Sequence, residues 1–235
     1  MGFSRLDLTL DSREEIRCKV KFQHVIKKTL PKIHFSKDEA EALLIVYYKL
    51  TKRRPMDRKY FRDVMFKLFD YSNDVLIERI YSVFGDAANK TELTMESWVL
   101  GLSVICRGTL EEKIKYCFTV YDMMGDGMLR KDFMLIALKN NFRDDESKEL
   151  LLDLIETLVK KMDVDMDGVI SYEDYRNSVL KNNFLLEPFG YCVPSRAAIY
   201  TFLTTMTSLV TTMHSNKTSR SNLELVPSKT KFTKM

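Results

Sequence analysis

Apolar residues recur at three- and four-residue spacing along most of the chain, a pattern that predicts amphipathic helices. Leu43, Val46, Tyr47 and Leu50 form one stripe, Ile114, Cys117, Phe118 and Tyr121 a second, and Leu151, Leu154, Ile155, Leu158 and Met162 a third. Each stripe is expected to face a core. Short segments rich in Asp, Gly or Asn separate the helices, and the helix–loop–helix pattern recurs at intervals of roughly 35–50 residues. Four units are expected, at residues 37–69, 75–107, 110–141 and 148–183. The predicted fold is all-α, with four helix–loop–helix units in two lobes and short strands pairing between loops. In this division residues 1–36 are an N-terminal extension, 37–108 one lobe, 109–190 the other, and 191–235 a tail.

Composition agrees with a helical reading. The chain has 235 residues, 45% hydrophobic and 30% charged, with only eight Gly and five Pro, which argues against a many-stranded sandwich. Cys18, Cys106, Cys117 and Cys192 stand alone, without C-x-x-C spacing, so neither a zinc ribbon nor a redox dithiol is signalled and a reducing cytoplasmic compartment is expected. Charges throughout the first 21 residues leave no apolar signal-peptide region. Leu6 stands where an N-myristoylation signal needs Ser or Thr.

The net charge of +4 is unevenly placed, because residues 191–235 hold six Lys or Arg and one Glu. The remainder is close to neutral, so no nucleic-acid partner is expected. The tail is also rich in Ser and Thr and is expected to be disordered; its uncharged stretch 197–216 carries too many threonines for a membrane span. Phosphates there would offset Lys217, Arg220, Lys229, Lys231 and Lys234, which makes the tail a candidate regulatory element.

The chemistry concentrates in one stretch, DVDMDGVISYED, from Asp163 to Asp174. Calcium is a hard cation that takes six to eight oxygen ligands, and a loop with carboxylates at positions 1, 3 and 5 and a glycine at 6 can wrap oxygens around one point. Asp163, Asp165 and Asp167 offer carboxylates, Val169 its carbonyl, Ser171 its hydroxyl directly or through water, and Asp174 the closing carboxylate. Ile170 is expected to pair with Leu129 of the preceding loop. Asp174 replaces the usual closing Glu and is one methylene shorter. Affinity is therefore expected on the order of 10⁻⁵–10⁻³ M, with magnesium as a competitor.

The other loops lack ligands. In Asp122–Phe133, Met124 replaces an oxygen donor, Arg130 places a cation at position 9, and Phe133 occupies position 12. In Asp86–Ser97, Ala88, Lys90, Thr91 and Ser97 spoil the pattern, and the first unit has Arg53, Arg54 and Pro55 where ligands are needed. One ion per chain is expected.

These residues resemble the EF-hand superfamily and, more narrowly, the calaxin family, relatives of the neuronal calcium sensors. The closer match rests on RGTLEEKIKYCFTVYDMMGDG (107–127), KKMDVDMDGVISYEDY (160–175) and LLEPFGYCVP (185–194), and it covers about residues 25–194. The resemblance implies a calcium sensor or adaptor on outer-arm dynein or its docking machinery, in the ciliary or flagellar axoneme. It also carries the ligand roles to Asp163, Asp165, Asp167, Ser171 and Asp174, while Met124, Arg130 and Phe133 depart from a loop that in calaxin looks able to bind calcium.

Two other readings stand beside it: a calcium-insensitive structural linker of the axoneme, and a cytosolic sensor with a different helical target. No membrane partner is expected. An enzyme is not expected, because the chain has no P-loop, G-x-S-x-G or H-E-x-x-H, and its His24, His34 and His214 are scattered.

Overall fold

The computed structural model describes residues 11–85, 91–139 and 145–205. A first helix, α1 (Ser12–Thr29), runs through a 3-10 turn at Leu30–Lys32 into four helix pairs. These are α2 (Lys37–Thr51) with α3 (Arg58–Phe69), α4 (Asp74–Phe84) with α5 (Met95–Arg107), α6 (Leu110–Tyr121) with α7 (Lys131–Leu138), and α8 (Asp145–Met162) with α9 (Tyr172–Lys181). The four expected units are all present. The starts of α2 to α6 follow from side-chain caps that satisfy the first free N–H groups. Ser36 with Glu39 and Thr109 with Glu112 form capping boxes, and Asp57, Asn73 and Thr94 cap α3, α4 and α5.

The first two pairs pack through α2 on α5 and α3 on α4, the last two through α6 on α9 and α7 on α8. Strands β1 (Met128–Leu129) and β2 (Ile170–Ser171) join antiparallel, with Leu129 opposite Ile170 as the pattern predicts. Both side chains are buried and seal the space between the last two units. The predicted stripes face the core as expected, with Tyr47 and Leu158 half-buried against it, except at Leu154, which lies on the rim of the buried arc of α8 and is 39% exposed.

The lobes share one continuous core. In the first, Phe61 meets Tyr81, Phe84 and Trp98 edge to face, with centroids 5.3, 5.6 and 6.4 Å apart. Helix α4 bridges to the second lobe. Its Arg79 donates to the Thr119, Val120 and Asp122 carbonyls, capping the C-terminal end of α6, and Asn73 donates to the Ala137 carbonyl at the end of α7. Both helices of the third unit are thus tied to the first lobe.

The expectation of a disordered tail from residue 191 is corrected for residues 191–205. A strap leaves the short 3-10 helix Asn183–Leu186, crosses both lobes, and enters a tenth helix, α10, over residues 196–205. Four tyrosine hydroxyls donate to its carbonyls: Tyr71 and Tyr116 to Cys192 (2.6 and 3.2 Å), Tyr121 to Gly190 (2.6 Å), and Tyr175 to Leu186. Phe189 is fully buried against Tyr121, and Phe202 against Phe69. The reason is local. Ile199, Phe202 and Leu203 make an apolar face, Ser195 caps the helix through Ala198 N–H, and Thr201 and Thr205 turn their hydroxyls back onto helix carbonyls.

Glu187 folds back so that Oε1 accepts from Cys192 and Val193 N–H, both at 2.7 Å. Burial pushes its carboxyl up, against those two donors and the charge of Lys113. The folded value lies above the unfolded one, so the contribution of the protonated acid is complete below about pH 4 and is lost as pH rises through the folded value. Glu187→Gln keeps the acceptor oxygen without the charge. It is expected to raise the melting temperature at about pH 7 and to match the parent near pH 4; a lowered melting temperature at about pH 7 would contradict this.

Candidate metal centre

Helix α8 ends at Met162, and Asp163 N–H still bonds to the Val159 carbonyl, so the first carboxylate is delivered at the helix end. Asp163 Oδ1 then accepts from Asp167 N–H (3.2 Å) and Oδ2 from Gly168 N–H (2.8 Å). Met166 and Gly168 both have positive φ, 62° and 87°, which folds the loop inward. Glycine is suited to that conformation and Met166 is not, so the loop holds strain at its fourth position.

The carboxylates of Asp163, Asp165 and Asp174 offer oxygens that all lie within 4.8 Å of one another. Asp174 is buried and reaches back across the loop, accepting from Val164 N–H (3.3 Å), Ser171 N–H (3.1 Å) and Ser171 Oγ (2.6 Å). The Asp165 carboxyl is held above the ordinary carboxylate range, first by desolvation and, against the Asp167 N–H, by the charges of Asp167 and Asp174. Crowded carboxylates of this kind favour a cation among them.

The remaining candidates are placed differently. Asp167 bonds its Oδ1 to Val169 N–H in a tight turn (2.8 Å). Ser171 is the N-cap of α9, with Asp174 as its capping-box partner. The double use of Asp174, as loop closure and as a helix cap, is not evident from the loop spacing alone; the signal for it is the S-x-x-D pattern.

The third loop has the same outline with different contents. Asp122 accepts from Gly125, Asp126 and Gly127 N–H (2.8, 3.3 and 2.9 Å), and Arg130 pairs with Asp126 inside the loop. Met124 points to solvent and Phe133 is buried in the core. In the first unit Arg54 pairs with Asp63 and stacks over Tyr60, 3.6 Å from the ring centroid. Ala88 and Lys90 of the second loop lie outside the described residues, as does His214. His34 reaches Glu112, 2.7 Å away, and His24 is exposed on α1. No helix among the described residues is long and apolar enough to cross a membrane.

A hard-oxygen loop between two helices, strand-paired to a second loop of the same shape, defines an EF-hand pair, and residues 111–180 match the family model described as an EF-hand domain pair. Among curated proteins the chain is 40% identical over 180 residues to calaxin of Xenopus laevis, covering 72% of this chain and 86% of that one. It is 37% identical over 172 residues to calaxin of Homo sapiens, covering 68% and 81%. It is 23% identical over 184 residues to a recoverin family protein of Dictyostelium discoideum, covering 67% and 81%. The chain belongs to the calaxin family of EF-hand proteins. Membership of this family supports a calcium-sensor role, that of a regulator rather than an enzyme.

Proposed function

We propose that the protein binds one calcium ion in the Asp163–Asp174 loop and acts as an adaptor for an axonemal partner, outer-arm dynein or its docking machinery. The observation that carries the ion is the convergence of the Asp163, Asp165 and Asp174 carboxylates. The donor set fits: all candidate ligands are oxygens, and Gly168 has the positive φ that such a turn requires. Asp167, Val169 and Ser171 complete the candidate set, the last while remaining the helix cap. Magnesium competes, because the shorter Asp174 supplies fewer oxygens to distinguish the larger ion. Placement on the axoneme is supported by the family membership.

A ligand shifts a conformational equilibrium only through its different affinity for the two states. Asp174 precedes Tyr175, whose hydroxyl anchors the strap at Leu186. Drawing Asp174 toward an ion therefore acts on α9 and on the strap together. The second reading, a linker insensitive to calcium, is favoured by the self-paired Arg130–Asp126 loop and by Arg79, which tie the third unit in place. Affinity for the dynein or docking partner, measured with calcium and with chelator, separates the two. A sensor gives a change of about fivefold or more; a change below about twofold identifies the linker.

A further inference from the structure

Helix α1 buries Cys18, Val25, Ile26 and Thr29 against the first lobe, with Phe22 against the Tyr48 ring. Its opposite face is open. Arg13, Arg17, Val20, His24 and Lys27 follow one another there in steps of four, three, four and three residues, all exposed, with Ile16 alongside. Ile16 and Val20 are 56% and 71% exposed. Among the described exposed side chains of α1 there is no carboxylate, and no ion pair engages Arg13, Arg17 or Lys27. The half-buried Glu14 is held by Lys52, and Lys28 by Glu96.

We propose that this face of α1 docks an acidic amphipathic helix of a partner protein, packed lengthwise along the seam from Arg13 to Lys27. The four–three spacing keeps these side chains on one face of α1 along its whole length, so a helix laid lengthwise on it meets cations throughout. Ile16 and Val20 supply its apolar centre, and the cations select carboxylates along the partner. A membrane surface fits less well, because interfacial helices present Trp, Phe or Leu outward and this face presents none. A nucleic acid fits less well too, since a phosphate backbone would leave Ile16 and Val20 in water. The segment 206–235 is itself basic in sequence and does not complement this face in charge. This surface needs no bound calcium and stands apart from the reading of the Asp163–Asp174 loop.

The test uses the full chain and a helical probe peptide of about three heptads, with Leu at its core positions and Glu on the flanks. The parent protein is expected to bind it, with affinity falling as salt rises. Arg13→Glu, Arg17→Glu and Lys27→Glu together are expected to weaken binding on the order of tenfold or more with circular dichroism unchanged. The charge-matched control, Lys229→Glu, Lys231→Glu and Lys234→Glu in the tail, stays within about twofold. Absence of parent binding, equal losses in the two triple variants, or tighter binding to phosphatidylserine vesicles or duplex DNA would overturn the proposal.

Discussion

Phe189→Ala is expected to destabilise the protein by about 3–5 kcal/mol, the usual cost of emptying a buried aromatic site. For a chain of this size that lowers the melting temperature by roughly 6–20 °C. Phe189 is fully buried, its ring meets Tyr121 at 5.2 Å and 84°, and it stands between the strap bonds made at Leu186 and Gly190. Removing the ring opens a cavity and loosens the segment whose carbonyls Tyr121 and Tyr175 use, so the hydroxyls of two buried tyrosines risk losing partners. Thermal denaturation followed by circular dichroism reads the effect. A shift under about 3 °C would mean that the strap rests on the surface rather than in the core.

Gly190→Ala is expected to cost about 2–6 kcal/mol through two separate mechanisms. Gly190 has φ of 122°, a region closed to L side chains, and forcing one there costs about 1–3 kcal/mol. A Cβ at this position would also lie 2.5 Å from Leu76 Cδ1, and relief of that overlap in a packed core adds about 1–3 kcal/mol. The loss is read by urea titration as a lower midpoint with an unchanged slope. Since Leu76 belongs to the first lobe and the Gly190 carbonyl is held by Tyr121 of the second, the variant loosens the junction between lobes. An unchanged midpoint would contradict this packing.

The four units, the Leu129–Ile170 pairing and the convergence of Asp163, Asp165 and Asp174 were legible because each depends on short-range spacing. Periodicity marks the helices, the loop positions mark the carboxylates, and the residue after Gly168 and Val169 must face its counterpart. The strap was not legible for the opposite reason. Its contacts join residues 71 and 192, or 69 and 202, and its threonines lower helix propensity until the hydroxyls find helix carbonyls. The Ile199, Phe202 and Leu203 spacing was the available signal, outweighed by composition. The basic face of α1 was hidden too: whole-chain charge places the excess in the tail, and only helical geometry collects Arg13, Arg17 and Lys27 on one side.

Calorimetric titration of calcium into the magnesium-saturated protein, repeated with Asp163→Ala and Asp165→Ala combined, tests the central claim that one loop holds one ion. The expected result is a single site, with dissociation constant on the order of 10⁻⁵–10⁻³ M, that vanishes in the double variant. No detectable binding up to about a millimolar, or a site that survives in the variant, would contradict it.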